Sequence, residues 1–139
     1  MDEPPQELVE FFNARLDEEI NNAVNARNRA DGVWTGSFGG VSCPTGYIIS
    51  APGDEFLDRR IVDHLVHWQP ENVLVQLTLQ RKIGFRLAQV IETLDNGDPE
   101  SDEWESAHAE IDGLTVAVEA LAARFKDHPD YDHAWIPSA

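Results

Sequence analysis

The sequence predicts a mainly α-helical fold, a small bundle of three to four helices with a β-hairpin inserted between the first and second helices. Two observations lead to this prediction. Apolar residues recur at three- and four-residue spacings through most of the 139 residues, and one glycine-rich stretch, 31–52, interrupts them. The length and the 42% of apolar residues suit a single domain, 1–139, whose core needs no disulfide or metal.

The first helix is predicted over about residues 5–28. Leu8, Phe12 and Leu16 begin an apolar stripe that returns at every fourth residue, which is the period of one helical face. Pro5 suits the first helical turn, because the N–H that proline lacks would have no partner there.

The β-hairpin insertion is predicted over about residues 31–52. Two short runs, 33–38 and 46–50, have the composition of strands, and Gly39-Gly40 and Pro44-Thr45-Gly46 supply turn chemistry between them. An isolated hairpin is only marginally stable in water, so this insertion is expected to pack on the helices.

The remaining apolar spacings predict three more helices and a C-terminal tail, at about 54–67, 70–95, 98–126 and 127–139. Asp54 and Asp98 are the expected N-caps of the first and the last of these helices, and Asn96-Gly97 is a helix stop. The short connection after Gly97 predicts that the last two helices form an antiparallel hairpin.

Charge limits the classes of partner. The chain has 26 acidic and 10 basic residues and a formal net charge of -16, which opposes direct binding to nucleic acids or anionic membranes. The acidic, proline-rich start does not resemble a signal peptide, and no apolar run is long enough to span a bilayer. Cys43 is the only cysteine, which fits a reducing compartment. We therefore expect a cytoplasmic protein without membrane association.

The acids are concentrated around the predicted turn between the last two helices, in a stretch from Leu87 to Ala123 that contains no lysine or arginine. The candidate partner-binding residues are Glu92, Asp95, Asp98, Glu100, Asp102, Glu103 and Glu105. A field of one sign can steer a basic protein partner or imitate a phosphate backbone. The alternative is a surface that is only solvated. The basic residues Arg81, Lys82 and Arg86 are expected to pair with acids of a neighbouring helix or to mark a small anion site.

Histidines and carboxylates form the second candidate site. His128, Asp130 and His133 lie within six residues of the tail, and with His64 of the second helix they are candidate metal ligands. Their spacing matches no recognised metal motif. The alternative is that Tyr131 and Trp135 pack on the helices while the histidines bond helix ends or carbonyls. No cofactor is identified, and none is expected.

Three segments carry a resemblance to a known family. They are 8–19 in the first helix, the run from His64 through Pro70 to Val73-Leu74, and His128-Pro129-Asp130-Tyr131 followed by Trp135. In this order they resemble the opening, the centre and the end of a family of small uncharacterised proteins from actinobacteria and their phages. The family commonly has a second histidine before its central proline, where this chain has Trp68-Gln69. The resemblance implies such an origin but no activity, cofactor or catalytic residue.

The predicted function is that of a non-enzymatic acidic interaction protein, phage-encoded or phage-derived, which binds a host or phage protein. No nucleotide-binding loop or nucleophile motif is present, so the sequence leans against an enzyme. Two alternatives stay open: a small metal-dependent enzyme or sensor that uses the histidines and aspartate, and a virion or accessory structural protein. The sequence does not specify the partner or the oligomeric state.

Overall fold

The structure, a computed structural model, describes residues 5–30, 34–37, 40–42, 48–50 and 59–136. Within them it contains four α-helices: α1 (Gln6–Ala30), α2 (Arg59–His67), α3 (Pro70–Asn96) and α4 (Asp102–Ala122). Two 3-10 turns follow, Ala123–Phe125 and His133–Trp135. The prediction of a mainly helical chain with up to four helices is confirmed, and the bundle arrangement stays a prediction. The predicted start of the second helix at Asp54 lies outside the described residues.

Three short strands lie between α1 and α2 in sequence. They are β1 (Thr35–Ser37), β2 (Gly40–Ser42) and β3 (Ile48–Ser50), paired antiparallel in the order β1-β2-β3. The predicted hairpin is not confirmed, because it pairs 33–38 with 46–50, whereas β2 lies between β1 and β3. Gly40, predicted as part of a turn, is the first residue of β2. The other predicted turn, at 44–46, and Cys43 lie outside the described residues.

The chain divides into two compact units, one of Met1–Asp17 with Leu79–Ala139 and the other Glu18–Thr78. The single domain stays a prediction. Among the described residues, no helix is long and apolar enough to cross a membrane.

The first unit has an apolar core built from α1, α3 and α4. Its largest fully buried side chains are Leu8, Val9, Phe12, Leu16, Leu87, Val90, Ile91 and Val118. Burial of each such side chain contributes roughly 1.5–3 kcal/mol. Gly84 of α3 contacts α1, since a Cβ there would overlap Asn13 Oδ1 and lie 3.1 Å from Phe12 Cδ2. The core therefore depends on a residue without a side chain at this crossing.

The connection between α3 and α4 corrects one prediction. Asp98 is not the N-cap of α4, because α4 begins at Asp102 and Ser101 Oγ accepts the Trp104 N–H at 3.2 Å. The Asp98 carboxylate accepts the Glu100 N–H at 3.0 Å instead, which is an aspartate turn of the kind that precedes a helix. At the other end, the Gly97 N–H donates to Thr93 O at 2.8 Å and closes α3.

The second unit is organised around a buried glutamine at the α2–α3 junction. Gln69 is 3% exposed, and its Oε1 accepts the Trp34 N–H at 2.7 Å. Its Nε2 donates to Trp34 O at 3.1 Å and to Val66 O at 2.8 Å. These bonds hold Trp34, just before β1, on the end of α2. Gly36 continues the contact, since a Cβ there would lie 2.7 Å from Val62 Cγ1.

Candidate functional site

The seven predicted partner-binding acids lie at one end of the hairpin formed by α3 and α4. We call this end the acidic tip, defined by Glu92, Asp95, Asp98, Glu100, Asp102, Glu103 and Glu105. Two lie towards the end of α3, two in the connection, and three in the first turn of α4. All seven side chains are exposed, so the local geometry of the hairpin presents them together to solvent.

The charge of the acidic tip is not neutralised within the part of the chain that the structure describes. There, none of its carboxylates forms an ion pair with a lysine, arginine or histidine. Asp98 is engaged only locally, by the N–H of Glu100. In that part of the chain the acidic tip is therefore an exposed cluster of carboxylates without an internal counter-charge.

An internal ion pair lies further along the same hairpin. Arg86 of α3 binds Glu110 of α4 with two parallel hydrogen bonds, Nε to Oε2 at 2.8 Å and Nη2 to Oε1 at 2.6 Å. Arg86 Nη1 also donates to Gln89 Oε1 at 2.9 Å. The hydrogen bonds from Arg86 lower the pKa of the Glu110 carboxyl. The predicted pairing of basic residues with a neighbouring helix is confirmed here, and again where Arg81 pairs with Asp17 of α1.

A groove of about 390 Å³ lies between α3 and α4, next to this ion pair and at the base of the acidic tip. Its lining residues are Arg86, Gln89, Val90 and Thr93 from α3, and Asp102, Glu103, Ser106 and Ala107 from α4. Val90 and Ala107 are 1% and 3% exposed, so these apolar side chains lie beneath the groove and contribute very little accessible surface to it. The rim is polar and carries two acids of the tip. The accessible lining of the groove is therefore mainly polar and includes exposed carboxylates.

Two of the predicted metal ligands, His128 and Asp130, contact Arg15 of α1. Arg15 Nη1 lies 3.2 Å from His128 Nδ1, contacts His128 Nε2, and lies 3.8 Å from the Asp130 carboxylate. The Asp130 N–H donates to His128 Nδ1 at 3.1 Å. A metal would need the lone pair of one imidazole nitrogen, and N–H groups already lie against both nitrogens of His128.

The other two predicted ligands make aromatic contacts. His133 packs edge-on against Tyr131 with ring centroids 5.6 Å apart, and His64 lies on α2 with its ring 6.2 Å from Trp68. Among the described residues, no group of three or more histidine, cysteine, aspartate or glutamate side chains is arranged to hold a metal ion. The described geometry adds no support to the metal site, which stays a prediction.

An aromatic cluster holds the C-terminal tail on α1. The Phe11 ring lies 5.2–6.2 Å from four rings, those of Phe125, His128, Tyr131 and Trp135. Tyr131 is 5% exposed, and burial, with a smaller effect of Glu119 and Asp132, raises the pKa of its hydroxyl. Phe11, from the first of the segments on which the family resemblance was based, therefore meets the last of those segments within the first unit.

The sequence analysis did not predict the groove. Its lining residues Gln89, Thr93 and Ser106 were not among the candidate site residues. A signal was present in the sequence. Arg86 and Thr93 are seven residues apart on one helix, as Glu103 and Glu110 are on the next, and seven residues return to the same helical face. Once the two helices are placed antiparallel, this spacing sets the pairs opposite each other.

The chain belongs to a family of unknown function (DUF6221), whose model matches residues 5–137. No curated protein and no solved structure matches the chain. The match spans the aromatic cluster, the acidic tip and the groove. Membership of this family assigns no activity to the chain.

Proposed function

We propose that this member of the DUF6221 family is a non-enzymatic interaction protein whose acidic tip binds a basic surface of a protein partner. One observation carries the proposal: seven exposed carboxylates share one end of a helical hairpin, and none is paired with a cation in the described part of the chain. Clustered charges of one sign repel one another, and a basic partner relieves that repulsion.

Helix stability explains the positions of only some of the acids in the acidic tip. Asp102, Glu103 and Glu105 lie in the first turn of α4, where the positive end of the helix dipole favours acids. Asp95 lies in the last turn of α3, which contains no basic residue and where the dipole disfavours an acid by about 0.3–1 kcal/mol. An acid at that position costs stability, so its presence fits selection for a charged surface.

The sequence adds three further parts to the proposal. The resemblance to actinobacterial and phage proteins supports such an origin, and the single cysteine, Cys43, supports a reducing, cytoplasmic location. The absence of lysine and arginine from Leu87 to Ala123 supports the sharpest variant, in which the tip imitates a phosphate backbone and occupies a nucleic-acid-binding site of its partner.

The experiment compares two variants with the same net charge. The tip variant carries Asp95→Asn, Glu100→Gln and Glu105→Gln, and the control carries Glu7→Gln, Asp112→Asn and Asp127→Asn, all at exposed positions. Binding of a hexa-arginine peptide is measured by isothermal titration calorimetry at low and high salt. We expect the tip variant to bind roughly tenfold more weakly than the control, from three lost charge contacts of about 0.5 kcal/mol each.

Two results would contradict the proposed function. Equal weakening by the two variants would show that overall charge, and not the tip, attracts the peptide. Binding that does not change with salt would contradict an electrostatic interaction, since contacts between exposed charges are screened.

A further inference from the structure

We infer that the groove between α3 and α4 binds the guanidinium side chain of an arginine supplied by the partner. The inference rests on the proposed function, because it assumes a basic partner, and it adds the position and the chemistry of one contact. The observations that carry it are the register of the hairpin, the lining of the groove and the charge that remains inside it.

The register of the hairpin relates the groove to the internal ion pair. Arg86 pairs with Glu110, and a step of seven residues along each antiparallel helix leads from this pair to Thr93 and Glu103. Because seven residues restore the same helical face, Thr93 faces Glu103 as Arg86 faces Glu110. Both Thr93 and Glu103 line the groove. The carboxylate is thus repeated on α4, whereas the arginine of α3 is replaced by a threonine.

The lining of the groove matches the parts of an arginine side chain. The methylene stem would lie over Val90 and Ala107, whose burial leaves only a small apolar area at the bottom of the groove, so the carboxylates carry most of the contact. The carboxylates of Asp102 and Glu103 suit the guanidinium, which presents several N–H donors in one plane. The same protein already binds one guanidinium in this way, because Glu110 holds Arg86 with two hydrogen bonds.

The charge that remains in the groove selects a cation. Arg86 also lines the groove, but Glu110 neutralises it. Asp102 and Glu103 are left, and in the described part of the chain neither forms an ion pair with a basic side chain. The N-terminus of α4 would attract an anion, but these two carboxylates lie in the first turn of α4 and would repel that anion.

The test places an arginine inside the groove from within the chain. In Thr93→Arg the new side chain faces Glu103 and competes with the partner's arginine. The matched control is Ala109→Arg, which adds the same charge at an exposed position one turn beyond Glu105 but outside the groove lining. Circular dichroism establishes that both variants are folded, and calorimetry measures their binding of the hexa-arginine peptide.

We expect Thr93→Arg to weaken binding by roughly tenfold or more, the loss of one charge-assisted contact, and Ala109→Arg by about twofold. In NMR spectra of the wild type, the peptide is expected to shift the amide signals of Thr93 and Ser106. Equal weakening by the two variants would overturn the groove assignment and leave the proposed function intact. A wild type that does not bind the peptide even at low salt would overturn both.

Discussion

Gly84 gives the most direct test of the packing in the first unit. An alanine Cβ at this position of α3 would overlap Asn13 Oδ1 and lie 3.1 Å from Phe12 Cδ2. The Asn13 amide can rotate away, but Phe12 is 0% exposed, so its ring has to move inside a filled core. Overpacking of this kind costs about 1–3 kcal/mol, and the better helix propensity of alanine returns up to about 1 kcal/mol. We therefore expect Gly84→Ala to lower the free energy of unfolding by about 1 kcal/mol.

The matched control is Gly113→Ala in α4. A Cβ at Gly113 meets nothing within 4 Å, so only the propensity gain applies, and we expect the free energy of unfolding to rise by about 0.5–1 kcal/mol. Urea unfolding followed by far-UV circular dichroism measures both variants. A Gly84→Ala variant as stable as Gly113→Ala would refute the close approach of α3 to α1. Adding Asn13→Ala to Gly84→Ala is expected to recover only the part of the loss that the amide causes.

Three further changes test other contacts. Ser101→Ala removes the N-cap of α4 and is expected to cost about 1 kcal/mol in urea unfolding, whereas Asp98→Ala should cost less if Ser101 is the cap. Gln69→Ala leaves the Trp34 N–H and C=O without their partner and is expected to cost about 2–3 kcal/mol, with faster hydrogen exchange at the Trp34 amide. Because Arg86 lowers the folded-state pKa of Glu110, the pair stabilises the protein above the unfolded-state pKa of the carboxyl, and this contribution disappears as pH falls through the lowered value. Glu110→Gln should therefore reduce the acid dependence of stability, and an unchanged pH profile would argue against the pair.

The helices could be predicted from the sequence because apolar spacing reports directly on which face is buried. Leu8, Phe12 and Leu16 define the buried stripe of α1, and each is buried in the structure. The start of α4 was misplaced because Asp98-Pro99 and Ser101 are both good starting signals. The Asp98 side chain bonds the N–H two residues on, which forms a turn and leaves the cap to Ser101.

The strands were harder to predict because each is only three residues long. Gly39-Gly40 has the composition of a turn, yet Gly40 pairs with Ser37 as part of β2. Runs this short show no alternation that separates a strand from a turn, so the count and the pairing of strands depend on contacts outside the run.

The candidate sites differ in how far apart in the sequence their residues lie. The acidic tip could be predicted because its seven acids lie within one stretch of sequence around a turn. The contact of Arg15 with His128 joins residues 113 positions apart, and nothing in their local sequence fixes it. The groove is intermediate in predictability, because predicting it requires only the register of two helices that are neighbours in the sequence.

The α3–α4 hairpin uses the carboxylates of α4 in two ways, and the register connects them. Glu110 faces Arg86 and is neutralised within the chain, which holds the two helices in register. Glu103 lies two turns earlier on the same face, opposite Thr93, so the position that would neutralise it carries a short hydroxyl side chain. An arginine from a partner would complete this second pair with the geometry of the first. Since these carboxylates are exposed and carry most of the contact, salt should strongly weaken the binding of that arginine.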